Sequence, residues 1–259
     1  MSLIMKILLS FCLVFTAQWG FAQSAETGVV AIHGKWGSPP GPLANYLERE
    51  GYRVISPAMP WSRAKDYASD YPSAIAEIQQ EVKKLRDAGH KKVVLAGHSF
   101  GANAAIAYAT QHQDVDGIIL YAPGHTPELF YRGRFIDLSA DVDRARQLVD
   151  SGRGDEKITF QDPNSGGRKR SLSAPAKNYL SFCDPEGVAN MPKSAGLIPI
   201  AIPVMCVMSR EDNITKWGPN YIFTKFQKHP KSVYFETSAG HLDTPEAMKK
   251  ETLAFLSSL

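Results

Sequence analysis

KVVLAGHSFGANAAIAYATQ, residues Lys92 to Gln111, decides how the rest of the chain is read. Lys92–Ala96 is a short apolar, β-branched run of the kind that fills a buried strand. Gly97–Gly101 is a glycine-flanked turn, and Ala102–Gln111 is a run of mostly small residues that can form a helix lying close to a sheet. A strand, a tight turn and a helix with G-x-S-x-G at the bend form the arrangement that lifts a serine hydroxyl clear of the backbone. The flanking positions must be glycine, because a Cβ there would collide with the neighbouring strand or helix. A helix N-terminus behind the serine also favours negative charge developing in front of it. At this chain's glycine and serine frequencies the bare pattern arises about 0.12 times by chance, so its placement between strand and helix carries the weight. Ser99 is the candidate nucleophile.

Outward from this turn, strands and helices alternate. Gly28–His33, Tyr52–Ser56, Gly117–Tyr121, Ile198–Met208 and Ser232–Glu236 read as strands, and Pro42–Glu50, Ser73–Ala88, Tyr221–Gln227 and Pro245–Leu259 as helices. Ile75, Ile78, Val82 and Leu85 recur three and four apart, which gives one helix an apolar face, and Gly89 is placed to cap it. Such alternation implies βαβ units and an α/β fold with a doubly wound, mostly parallel sheet. Gly124 to Ser194 interrupts the rhythm. This stretch is polar, carries glycine-rich pieces and includes the basic triplet Arg168-Lys169-Arg170, which reads as a solvated surface. An insertion of about residues 124–194 between two core strands is expected to form a cap or lid over the strand ends.

The whole chain has 259 residues, 44% hydrophobic and 21% charged, with a formal net charge of +3. That composition excludes wholesale disorder and a periodic fibre, and the slight positive excess is not the basic face of a nucleic-acid binder. Met1–Ala22 reads as a signal peptide: Lys6, an apolar run from Ile7 to Ala17, then Gly20-Phe21-Ala22 as a cleavage site. The run is too short for a membrane span. The expected product is a single domain over residues 23–259, periplasmic or secreted, with no stable membrane insertion. Export would allow Cys183 and Cys206 to pair, although Cys206 lies in an apolar run where a buried free thiol is the commoner outcome. The sequon Asn213-Ile214-Thr215 would place a glycan beside the candidate acid, which favours a bacterial source.

A serine hydroxyl near neutral pH needs a base within hydrogen-bond reach. His241, in Ser238-Ala239-Gly240-His241-Leu242, stands between the last strand and the last helix, where sites of open α/β sheets form. The base needs an acid to hold its tautomer. Asp212 in the turn after Ile198–Met208 is the choice, with Glu211 the substitute. Two backbone N–H groups are needed for an oxyanion. Phe100 supplies one, and the turn His33-Gly34-Lys35-Trp36-Gly37 the other, from Lys35 or secondarily Trp36, with His33 bracing the loop. Trp36 and His125 are candidate substrate contacts, with Trp61, Phe130 and Tyr131 as further aromatics.

HGKWG (His33–Gly37), GHSFG (Gly97–Gly101), VMSRED (Val207–Asp212) and SAGHLD (Ser238–Asp243) together resemble the α/β-hydrolase superfamily, in particular its capped serine hydrolases. The order Ser99, Asp212, His241 is the order the family uses. The resemblance implies a serine esterase-like enzyme acting on a small-molecule ester, with no cofactor and no metal. Serine at position 99 departs from the members that carry an aspartate nucleophile for epoxides or alkyl halides. Thioester or amide hydrolysis, cofactor-free perhydrolysis and C–C cleavage stay open on the same triad, as does a silent binding protein on the same fold. Walker A, G-x-G-x-x-G after a strand, and H-E-x-x-H are all lacking.

Overall fold

The computed structural model describes residues 26–134, 136–163 and 169–259. The expected signal segment Met1–Ala22 lies outside the described residues. Six strands form one parallel sheet: β1 (Thr27–Ile32), β2 (Arg53–Ile55), β3 (Lys92–His98), β4 (Gly117–Tyr121), β7 (Val204–Ser209) and β8 (Val233–Thr237), in the order β2-β1-β3-β4-β7-β8. Every neighbouring pair is parallel, with Gly97 opposite Ile32 and Leu120. Strands buried on both faces need continuous apolar runs, and β1, β4 and β7 are buried at every position.

One face is covered by α2 (Tyr71–Asp87) and α3 (Phe100–Gln111). The other is covered by α1 (Pro42–Arg49) and α9 (Lys249–Ser258). Helix α2 starts where the Asp70 carboxylate accepts from Ser73 N–H at 2.8 Å, and it turns its apolar stripe inward. Gly89 beyond it has φ 88°, the left-handed conformation that ends a helix cheaply. Helix α3 is buried from Phe100 to Ala109, and its alanines let it lie close to the sheet.

The expected strand Ile198–Met208 begins only at Val204, because Pro199 and Pro203 offer no N–H to a ladder. The expected helix near Tyr221–Gln227 is 3₁₀ instead, over Asn213–Asn220 and Phe223–Lys225, with Gly218 at φ 54° and Pro219 breaking it. The last helix divides at Met248 into α8 (Thr244–Ala247) and α9. Cys183 and Cys206 are both buried free thiols. No helix among the described residues is long and apolar enough to cross a membrane.

Between β4 and β7 the chain has more regular structure than its polarity suggested. It forms α4 (Pro127–Tyr131), α5 (Ser139–Asp150), the antiparallel hairpin β5 (Lys157–Pro163) and β6 (Lys169–Pro175), α6 (Ala176–Cys183) and α7 (Met191–Leu197). Phe160, Leu172 and Ala174 are buried on one side of the hairpin, and Phe160 stacks on Tyr179 of α6 at 4.0 Å. Arg170, read as solvated, is instead tied to Asp66 and Asp162 and lies 5.0 Å over the Trp36 ring. Arg168 of the triplet lies outside the described residues.

Glu128 of α4 is buried against the 3₁₀ segment, where Tyr221 OH donates to Oε1 while Oε2 has no partner. Burial pushes its carboxyl up to about 7, against the Tyr221 hydrogen bond and the Arg132 charge. A raised carboxyl pKa means its contribution to stability is complete in acid and is lost as pH rises through 7. Glu128→Gln is therefore expected to match the wild type near pH 4.5 and to exceed it by up to ~3 kcal/mol at pH 8, at ~1.36 kcal/mol per pKa unit. Urea unfolding at the two pH values measures this, and an advantage independent of pH would refute the assignment.

Candidate active site

Ser99 occupies the bend between β3 and α3 at φ 56°, ψ −117°, a conformation costly for a residue with a Cβ. The structure shows why both flanking residues are glycine. A Cβ on Gly97 would lie 2.3 Å from Gly101 C and O, and one on Gly101 only 2.0 Å from Ile32 O. The bend is held by Ser99 N–H donating to Tyr121 O at 2.9 Å and Gly124 N–H donating to Ser99 O at 3.1 Å. Gly34 lets the β1 loop lie against the serine, since a Cβ there would sit 2.9 Å from Ser99 Cβ.

His241 and Asp212 come together from the ends of β8 and β7. His241 Nδ1 lies 2.9 Å from both Asp212 carboxylate oxygens. If that nitrogen carries the proton, Nε2 keeps a free lone pair. Asp212 sits at the start of the 3₁₀ segment, with its N–H donating to Ser209 O at 3.0 Å. The neighbouring Glu211 is exposed and makes no hydrogen bond to His241. The His241 loop is fixed by Ser209 Oγ donating to Ala239 O at 2.8 Å and Thr244 Oγ1 donating to Gly240 O at 3.1 Å. His98 pairs with it at 2.8 Å through Nε2 and His241 O. Burial lowers the His98 pKa to about 4, so near neutral pH it is an uncharged donor.

Ser99 and His241 line one cavity of about 510 Å³. Gly34, Lys35, Pro42, Leu43, Leu242 and Pro245 contribute to its wall. No hydrogen bond joins Ser99 Oγ to His241 among the described residues. Lys35 and Phe100 N–H likewise bond no backbone acceptor there, whereas Trp36 N–H is committed to Trp61 O at 2.9 Å. His33 braces the loop: Nε2 accepts from Met59 N–H at 3.0 Å and Nδ1 pairs with Gly34 O at 2.7 Å.

Two expected substrate contacts fall elsewhere. His125 does not line the cavity; it is buried, stacked on the Phe100 ring at 3.8 Å, with Nε2 bonded to Phe182 O at 2.7 Å. Burial lowers its pKa to about 3. Trp36 does not line it either, because its indole N–H is drawn to Asp162 Oδ2 at 2.6 Å. Trp61 is fully buried on the other side of Phe100, at 4.4 Å, and Tyr131 OH donates to Asp143. Asp162, which sequence reading missed, bonds Lys35 Nζ at 2.7 Å, Trp36 Nε1 and Tyr67 OH at 3.0 Å. Its signal was the period-two run Ile158, Phe160, Asp162, which places a carboxylate on the inward face of a strand. Among the described residues no His, Cys, Asp and Glu group is arranged to hold a metal.

No curated protein sequence matches the chain. Among solved structures it resembles one described with LipS and LipT, two metagenome-derived lipolytic enzymes, at 18% identity and TM-score 0.64, over 91% of this chain and 95% of that one. A Paleococcus ferrophilus monoacylglycerol lipase is similar at 20% identity and TM-score 0.62, over 89% and 93%. A thermostable carboxyl esterase from Bacillus coagulans is similar at 15% identity and TM-score 0.61, over 90% and 88%. At such identities the likeness concerns the fold. The model of the alpha/beta hydrolase family matches residues 29–251, and the chain belongs to that family.

Proposed function

We propose that the chain is an exported serine hydrolase that cleaves a carboxylic ester through an acyl-enzyme. The observation that carries this reading is a serine on a strained glycine-flanked bend, sharing a cavity with a histidine bonded to a carboxylate. The lipase and esterase neighbours support the choice of ester among the family's chemistries. The segment Met1–Ala22 supports export.

Ser99 Oγ attacks the ester carbonyl carbon as His241 Nε2 takes its proton. Lys35 and Phe100 N–H hold the resulting oxyanion, and Asp212 stabilises the imidazolium. The tetrahedral intermediate collapses with the His241 proton passing to the leaving alcohol. Water, deprotonated by His241, then attacks the acyl carbonyl, and the acid leaves as Ser99 recovers its proton. The cavity wall offers apolar Pro42, Leu43, Leu242 and Pro245, with Asp243 and Glu246 also lining it. Its cation, Lys35, is neutralised by Asp162. That chemistry suits a neutral acyl chain better than one ending in a carboxylate.

The mature protein is expected to react with a fluorophosphonate and to hydrolyse p-nitrophenyl esters, with kcat/KM changing as the acyl chain lengthens. A hemisuccinate-type ester should be at least tenfold poorer than its neutral counterpart of equal length. A folded protein that neither labels nor hydrolyses overturns the reading.

A further inference from the structure

We infer that Asp162, carried into the molecule by the hairpin between β4 and β7, is a positioning residue that sets the oxyanion-binding loop. The inference rests on the ester-hydrolase reading and extends it to a residue far from Ser99 in sequence. Asp162 is 1% exposed. Its two oxygens are divided between two consecutive residues of the His33–Gly37 loop: Oδ1 takes Lys35 Nζ at 2.7 Å, and Oδ2 takes Trp36 Nε1 at 2.6 Å. Lys35 Nζ also donates to Pro163 O at 2.8 Å, so its side chain is held at two points on the end of β5. Tyr67 OH donates to Oδ1 at 3.0 Å, and Arg170 closes over Oδ2 and the Trp36 ring.

This arrangement fixes the peptides that matter. A loop after a strand has freedom in φ and ψ, and an oxyanion donor displaced by an ångström loses most of its effect. With both side chains pinned to one carboxylate, and Trp36 held at φ 58° with its N–H on Trp61 O, the Lys35 N–H has little room to turn. A buried charge is a costly way to secure mere packing, since an apolar residue of similar volume serves as well or better. Burial alone would raise the Asp162 carboxyl pKa; the Lys35 ammonium and the Trp36 and Tyr67 donors outweigh it and hold the group below the usual carboxylate range. The carboxylate thus stays ionised near neutral pH, as both links require. The hairpin acts as a fixed buttress of the oxyanion loop through this contact.

The test compares wild type, Asp162→Asn and the neutral pair Lys35→Met with Asp162→Asn. Lys35→Met keeps the backbone N–H while removing the ammonium that would be stranded in the single variant. Active sites are titrated with a fluorophosphonate, so that kcat refers to folded protein only. Asp162→Asn is expected to lower kcat 10- to 100-fold with KM within threefold. It should weaken a trifluoromethyl ketone, whose adduct carries the oxyanion, by the same factor, and leave the product acid's inhibition constant unchanged. If Asp162→Asn fails to fold, the paired variant gives the same readout, since it buries no unpaired charge. A kcat per titrated site within twofold of wild type, or a loss shared equally by the ketone and the product acid, overturns the inference while leaving the hydrolase reading intact. A wild type that neither labels nor turns over overturns both.

Discussion

Ser99→Ala is expected to lower ester turnover by roughly 10⁶-fold, the scale on which removing the nucleophile of a serine triad acts. The substitution deletes one oxygen and alters little else. Alanine meets the same backbone demand at φ 56°, and the Ser99 backbone bonds to Tyr121 O and Gly124 N–H need no side chain. Thermal stability should therefore stay within about 1 kcal/mol of wild type. Fluorophosphonate labelling should disappear together with turnover of p-nitrophenyl butyrate. Labelling that survives would put the nucleophile elsewhere and dissolve the acyl-enzyme mechanism.

Asp212→Asn should be nearly as severe, at about 10⁴-fold in kcat. The reason is the proton inventory of His241. Its Nδ1 faces both carboxylate oxygens, so an ionised Asp212 requires the hydrogen on Nδ1 and leaves Nε2 as the base. An asparagine amide can donate to Nδ1, which shifts the hydrogen to Nε2 and removes the lone pair that Ser99 needs. Glu211→Gln is the matched control. Glu211 is exposed, and its N–H bonds Ser209 Oγ, so turnover should stay within threefold of wild type. Turnover measured on active-site-titrated protein separates the two, and the reverse ranking would reassign the acid.

The bend at Ser99 was legible because steric law leaves it almost no alternative: Gly97 and Gly101 lie where any Cβ would meet backbone. The core strands around it were legible as apolar runs separated by helices, whereas their order in the sheet comes only from the fold. His241 and Asp212 could be proposed from their places after strands, and it is the fold that brings Asp212 rather than Glu211 to His241 Nδ1. What sequence left open was the direction of side chains within loops. Trp36 and His125 have the right chemistry for a pocket, but Trp36 is drawn to a carboxylate more than 120 residues away and His125 to the Phe182 carbonyl. Neither partner lies near its residue in sequence. The hairpin beyond β4 was hidden by its polar outward positions, since Lys157, Thr159 and Gln161 alternate with the inward Ile158, Phe160 and Asp162.

The neighbours β4 and β7 are joined by residues 122–203, and their pairing, from Ile118↔Val204 to Tyr121↔Val207, is the seam of the sheet. On one side of it lie the Ser99 bend and the Lys35 loop; beyond the other side follow Asp212 and His241. Closing a loop of that length has an entropic cost that grows with the logarithm of length, ~0.6 kcal/mol for each doubling, and it is met before the seam's contacts are made. A chain in which only β1 to β4 have paired holds Ser99 without Asp212 and His241 beside it, and under the proposed mechanism it is expected to be inactive. Under the proposed reading, the long-range pairing of β7 with β4 is also what brings His241 to the Ser99 side of the sheet.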